Sequence, residues 1–536
     1  MASSGTPGTP GNAQLAEPAT PAPSAPGFAP WLRLRTVIDL LLGMHRVDFQ
    51  AASRFVGLKY SSSWWPVKWL RFTWWALRQL LVRIPSSARY LTIAPHVSRT
   101  PMWLIDPNPH ANHPWANDPS AQLCDEVDAV VIGAGFTGAA VAYHWARRTG
   151  DRGDEAPTLA VIEMDDPASG SSGRNEGLVV MGRYYAMVHD TVLHHLHRVR
   201  TDLDEDARTR LAGQFAEAYS RSAYRNAEMI ERVIREEGFD CDYHRAGWVQ
   251  AAEPGGEGAL ERSTAMAKER GFEDWTRIDR DEAGRRSGMC LDNAAGFSIG
   301  AASWHPAKWV WCLMTAALAR PNVKLYTRTR VVRVEDAGEC YRVHTARGTI
   351  RARHVVCATE SYTPALHPQF HDLIEPLQEQ AACGEGGPER MPPYIGLSAA
   401  WFFGGRYGKR VLFGSGGPRR ADDEAGRNDP SRFLSRFVGA ELARYYGPYR
   451  LEMTNEWSGT VSYTPDEYPI VGVFDGKRQH IIGGMAGSGS GVSFNAGRCV
   501  VNRVLGLTDE PDDYPHAYFG PQRLLDPGGH TWPEVE

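Results

Sequence analysis

Three glycines and one carboxylate carry the strongest chemical signal in this sequence. Gly133, Gly135 and Gly138 are spaced G-x-G-x-x-G directly after the short buried-type strand 127–132, and an alanine-rich stretch, 139–148, follows them. The first glycine permits a tight turn. The second lets a pyrophosphate approach the backbone, and the third lets a helix pack closely on the strand, its N-terminus facing the phosphates. Phe136 and Thr137 complete the loop. A second apolar run, 158–162, ends in Glu163, and 163 − 138 places it 25 residues past the last glycine. A carboxylate at that strand end can hold both ribose hydroxyls of an adenosine. The spacing predicts a dinucleotide-binding βαβ unit whose candidate residues are Gly133, Gly135, Phe136, Thr137, Gly138, Glu163 and its neighbour Met164.

A few residues later comes Ala-Ser-Gly-Ser-Ser-Gly-Arg-Asn-Glu-Gly-Leu, residues 168–178, rich in hydroxyls and backbone N–H groups suited to a second wrap around pyrophosphate. With this segment the sequence resembles the D-amino-acid oxidase-like superfamily of FAD-dependent oxidoreductases, and within it the branch of gamma-glutamylputrescine oxidase and related amine oxidases. Further motifs follow in that family's order: Trp-Leu-Ile-Asp at 103–106, His305-Pro306, the strand-like 329–334, Val-Val-Cys-Ala-Thr at 355–359, Trp-Ser-Gly at 457–459, Thr-Pro-Asp at 464–466 and the glycine-rich 483–492. The resemblance spans about 101–525. It implies non-covalent FAD held additionally by Ser169, Ser171, Ser172, Gly173, Arg174, Asn175, Gly177, Leu178, Val331, Ala358, Thr359, Gly487, Gly489, Gly491 and Val492. It also implies oxidation of a C–N bond of an amine or amino-acid-derived substrate by hydride transfer to flavin N5, with dioxygen as the expected acceptor. No metal is implied.

Three departures from the family pattern bear on the substrate. Glu176 stands where a glycine is usual; it either faces solvent, as glutamates mostly do, or meets a cationic amine beside the flavin. Val461 stands where amino-acid-oxidising members often carry an arginine, and an apolar side chain cannot replace a bidentate carboxylate clamp. No cysteine lies between Trp457 and Thr464 and no histidine in 165–180, so the attachment sites for covalent flavin are missing. Amines are therefore expected over simple α-amino acids. His305 is the candidate polar group near the reaction, with helix capping as its plainer role. Trp304, Trp309 and Trp401 could line an apolar pocket or pack in a core.

The elements that must position these residues give an α/β fold: a Rossmann-like FAD-binding domain of glutathione-reductase type, an inserted antiparallel-sheet α+β substrate domain and an N-terminal helical extension. The FAD domain is expected at about 125–200, 295–365 and 455–525, and the substrate domain at about 201–294 and 366–454, with a C-terminal tail at 526–536. Residues 204–237 fit one amphipathic helix stopped by Gly238. Strands are expected at 244–250, 394–403 and 410–414, and an exposed loop at 417–430.

The 536 residues include 42% hydrophobic and 23% charged, a soluble globular composition. The net charge of −5 argues against nucleic acid as the partner, and eight cysteines without a C-x-x-C pair argue against a disulfide scaffold. The expectation is a cytoplasmic protein. Residues 1–30 hold Pro, Ala, Gly, Ser and Thr at 24 of 30 positions and read as a disordered tail without a secretory pattern. Residues 31–100 differ: eleven Lys/Arg and two acids give +9, so the remainder carries −14. Trp64, Trp65, Trp69, Trp74 and Trp75 fall within this basic stretch, and a helix is expected from 67 to 84, stopped by Pro85. Packing on the acidic remainder is the plainer reading of the segment, and contact with a membrane surface or partner protein the alternative. The latter would suit a flavin dehydrogenase passing electrons to a quinone or protein. A flavin-binding partner protein with vestigial chemistry is the remaining reading. The oligomeric state is open.

Overall fold

The computed structural model describes residues 30–533 except 45, 89, 181–183, 253–254, 274, 400–401, 415–425, 427 and 448. The expected tail, the loop at 417–430 and Trp401 therefore lie wholly or mostly outside the described residues. Among these residues the chain forms two large sheets.

The first has eight strands. Its centre is a parallel run of buried, β-branched strands: Glu126–Ile132 pairs with Leu159–Ile162 on one side and with Gly348–Cys357 on the other, and Val323–Tyr326 extends it. Strands buried on both faces read as continuous apolar runs, as 129–132 does. The helix Phe136–Thr149 covers one face together with Pro306–Leu318 and Gly489–Leu505. Ala139, Ala140 and Ala142 are fully buried there, since small side chains let three helices crowd one sheet.

The second sheet has nine strands, and its two longest, Glu375–Gly386 and Leu451–Tyr463, pair antiparallel along their whole length. The sheet is not purely antiparallel as expected. Trp248–Ala251 runs parallel to Gly396–Ala399, and Leu91–Ser98 runs parallel to Leu451–Tyr463. Both pairings join segments far apart in sequence, where no hairpin imposes antiparallel order. Ala295–Ser298 and residues 455–463 of the strand Leu451–Tyr463 belong to this sheet, although they fall within the segments expected on the nucleotide side at 295–365 and 455–525. The long helix Glu205–Glu237 forms as read, with Asp204 accepting from Ala207 N at 2.8 Å and Gly238 left-handed at φ 67°.

The extension at 31–100 is helical up to Ser87 but ends in the strand Leu91–Ser98. Its third helix, Trp65–Arg78, does not stop at Pro85. It widens into a π-turn over Gln79–Arg83, with Ile84 N donating to Gln79 O, and continues to Ser87. The wider turn accommodates a residue that lacks an N–H and would clash with the preceding turn.

Candidate active site

A cavity of about 750 Å³ opens between the two sheets. That volume lies in the upper part of the roughly 300–1,000 Å³ range of ligand pockets. One end is built by the glycine loop. Gly133 has φ 104°, and a Cβ there would lie 2.5 Å from Ala358 O. A Cβ on Gly135 would meet Ser172 Oγ at 2.7 Å, and one on Gly138 would sit 1.8 Å from Gly133 O. Each glycine is thus required for a close approach of neighbouring groups. Glu163 lines the cavity and accepts from Ala134 N at 2.6 Å and Asp165 N at 2.9 Å. Burial raises its pKa despite these two donors.

The Ser/Gly segment 168–178 lies against that loop. Ser172 Oγ accepts from Phe136 N at 2.8 Å. Its carbonyls are taken up by donors from elsewhere in the fold: Trp457 Nε1 to Arg174 O at 2.8 Å, Trp103 Nε1 to Asn175 O at 2.7 Å, and Tyr407 Oη to Glu176 O at 2.5 Å. Arg174 itself donates to Ser169 O at 2.8 Å and Ser458 O at 3.1 Å. Occupied carbonyls repel an anion less, which suits a phosphate-binding segment. The motif tryptophans at 103 and 457 thereby acquire a physical role.

Of the residues expected to hold the cofactor, Gly133, Gly135, Phe136, Thr137, Glu163, Met164, Ser169, Ser171, Ser172, Arg174, Asn175, Leu178, Val331, Ala358, Thr359, Gly487 and Gly489 line this one cavity. Gly138, Gly173, Gly177, Gly491 and Val492 lie behind its wall. A Cβ on Gly177, whose φ is 71°, would fall 2.6 Å from the Trp103 ring, and one on Gly173 would fall 2.3 Å from Ala168 O. Val492 is fully buried in the helix Gly489–Leu505. The fit to a dinucleotide rests on this cradle and on the carboxylate at its strand end.

His305 does not line the cavity. Its Nδ1 accepts from Lys308 N at 3.1 Å, capping Pro306–Leu318, and its Nε2 lies 3.4 Å from Asp106. Burial pulls its pKa down to about 4, so it caps as the neutral ring. Trp304 and Trp309 are core residues with centroids 5.1 Å apart.

Glu176 does line the cavity, contrary to the commoner solvent-facing placement of a glutamate. Gly414 makes room for it: a Cβ at 414 would fall 1.9 Å from Glu176 Oε1. Burial, and then the nearby Glu379, push the Glu176 carboxyl up to about 8. Glu379 lines the same cavity from the strand Glu375–Gly386 and accepts from Tyr463 Oη at 3.2 Å. Val461 joins this wall, together with Tyr184, Trp248, Trp275 and Phe403. The Trp248 and Trp275 rings are 5.5 Å apart, and Tyr184 stands 4.7 Å from Trp275. Sequence reading missed Glu379 and the aromatic wall, which come from elements spread between 184 and 403 and share no motif. It also missed Glu360, which lines the cavity with φ 47° and accepts from Met485 N at 2.8 Å and Ser462 Oγ at 2.7 Å.

The Thr-Pro-Asp motif closes the fold from behind. Asp466 and Arg523, both buried, form a bidentate pair at 2.7 and 3.1 Å.

A glycine-turn nucleotide sheet, a second sheet facing it and one shared cavity define a flavoprotein oxidoreductase architecture. The chain belongs to the DAO family, FAD-dependent oxidoreductases, whose family model matches residues 128–503. It is 26% identical over 402 residues to the probable oxidoreductase OrdL of Rhizobium meliloti (strain 1021), covering 72% of this chain and 85% of that protein. Its fold is similar to that of L-proline dehydrogenase from P. horikoshii, with TM-score 0.59, 18% identity, and coverage of 75% of this chain and 98% of the other. Glycine oxidase from Geobacillus kaustophilus is similar to the same degree, with TM-score 0.59, 18% identity, and 74% and 98% coverage. The protein is an FAD-dependent oxidoreductase.

Proposed function

We propose that the protein oxidises a C–N bond of a cationic amine, with preference for amines, including secondary amines, over simple α-amino acids, using non-covalently held FAD and dioxygen as acceptor. The observation that carries this reading is the composition of one cavity wall: Glu176 and Glu379 with Val461 and four aromatic rings. Carboxylates attract an ammonium group, and aromatic faces favour alkylated cations through their quadrupole. Both would disfavour a free substrate carboxylate.

When bound, the flavin supplies a two-electron sink for the hydride on the carbon next to nitrogen. The chain's own groups do the rest. The glycine loop and the Ser/Gly segment hold the pyrophosphate, and Glu163 holds the ribose. Glu176, as the carboxylate, draws in the ammonium and takes its proton, which frees the nitrogen lone pair. Trp248, Trp275 and Phe403 keep water from the reacting carbon. The two-electron product is an imine, and addition of water splits it into a carbonyl compound and the shorter amine.

A panel of primary, secondary and tertiary alkylamines set against glycine, proline and D-alanine, with peroxide formation as readout, tests this. Efficient turnover of the amino acids with the amines inert would refute it. One observation favours a second reading of the acceptor: tryptophans and leucines stand exposed on the helices Pro30–Gly43 and Trp65–Arg78, as on a protein that reduces a quinone at a membrane. Reoxidation of amine-reduced enzyme by a soluble quinone but not by air would select it.

A further inference from the structure

Apolar surface is distributed very unevenly over this molecule. Twenty large apolar side chains stand exposed among the described residues, and fifteen of them lie between 31 and 82. They are ordered. On the helix Pro30–Gly43, Trp31, Leu34, Ile38 and Leu41 recur at intervals of three and four. On Trp65–Arg78 and its π-turn continuation, Val67, Leu70, Trp74, Leu77 and Leu81 do the same. That spacing puts each set on one helix face. Leu70 and Trp74 are 71% and 70% exposed.

The opposite flank is what holds the helices to the body. Leu40 and Ile84 are buried in the same cluster as Phe437, the Trp75 ring packs tilted against Phe437 with centroids 5.9 Å apart, and Arg83 pairs with buried Glu441 at 2.7 Å. The strand Leu91–Ser98 then stitches the segment into the nine-stranded sheet. The exposed stripes are therefore presented by a fixed platform. Residues 1–29 offer only Met1, Leu15 and Phe28 as large apolar side chains, too few to cover fifteen.

We propose that the helices at 30–43 and 65–83 dock the enzyme on an anionic lipid bilayer, lying in its interface without crossing it. Two observations select a bilayer over a second protein surface. Trp31, Trp64, Trp65, Trp69 and Trp74 are all exposed, and tryptophan favours the headgroup boundary, where its ring is buried and its N–H stays hydrated. Residues 31–100 carry +9 with only Asp39 and Asp48 as acids, which complements anionic headgroups. No helix among the described residues is long and apolar enough to cross a membrane, which fits an interfacial helix with a charged face.

The test is flotation of the full-length flavin-loaded protein with vesicles of phosphatidylcholine alone and of equimolar phosphatidylcholine and phosphatidylglycerol. Binding to the anionic vesicles, weakened by salt, is expected. Lys68→Ala with Arg78→Ala should weaken anionic binding about 25-fold, about fivefold per cation, and leave binding to neutral vesicles unchanged. Leu70→Ala with Trp74→Ala should weaken binding to both. Retained flavin absorbance shows that each variant is folded. Absence of binding to either vesicle would overturn the proposal. So would undiminished binding by the Leu70/Trp74 variant, or a dimer in sedimentation velocity that this variant breaks while vesicles go unbound.

Discussion

Replacing Glu176 with glutamine keeps the size of the side chain and removes its charge. The carboxyl lines the cavity, and burial with Glu379 nearby raises its pKa to about 8. Loss of one charge-assisted contact costs about 1.5–3 kcal/mol, so kcat/KM for a cationic amine should fall by about 10- to 150-fold at 1.36 kcal/mol per decade. The productive form is the carboxylate, so in the wild type kcat/KM should climb with pH up to about 8 and then level. The glutamine variant should lack that limb; the titration of the amine itself lies higher and is common to both proteins. Stability changes with the opposite sign. The folded carboxyl holds its proton above the ordinary 4.5, so wild-type stability is full below that value and is lost as pH rises through about 8. The ceiling is about 3.5 pH units, about 5 kcal/mol, and water in the cavity lowers it. Steady-state rates and urea unfolding between pH 5 and 9 would measure both. A glutamine variant with unchanged kcat/KM and the same limb near pH 8 would refute the role given to this wall.

Arg523→Ala should destabilise the protein by about 3–5 kcal/mol, because it leaves Asp466 buried and unpaired; chemical denaturation with flavin release followed in parallel checks this. His480 is buried with neither ring nitrogen partnered, and burial pulls its pKa down to about 3. It therefore costs stability as pH falls below about 6.5, on the order of 2 kcal/mol at pH 5, and His480→Leu should flatten that part of the curve in thermal unfolding. Gly138→Ala drives a Cβ to 1.8 Å from Gly133 O and should yield protein with substoichiometric FAD. Glu163→Ala should weaken FAD by about 1.5–3 kcal/mol in fluorescence titration of the apoprotein, and equal affinity would show the ribose is held elsewhere.

The nucleotide side of this fold was legible because its constraints are local. A tight turn, a close helix–strand contact and a carboxylate at the next strand end each leave a residue type at a fixed spacing, and Gly133, Gly138 and Glu163 occupy those places. The helix at 205–237 was legible for the same reason, through its apolar face and Gly238 at its end; the Asp204 cap emerged only from the structure. The substrate wall was not. Glu176 belonged to a readable motif, but its direction depends on the space left by Gly414, 238 residues later by 414 − 176. Glu379 and the aromatic rings converge only through sheet pairing, such as Trp248 beside Gly396. The strand at 91–98 was hidden because its partner is Leu451–Tyr463, and no local pattern records a pairing over that separation.

Anaerobic titration of the purified yellow protein with amines tests the central claim most directly. Secondary and primary alkylamines should bleach the flavin band stoichiometrically, glycine and D-alanine should not, and denaturation should then release intact FAD. A protein that stays colourless after addition of FAD, or a flavin bleached by the amino acids and untouched by every amine, would contradict it.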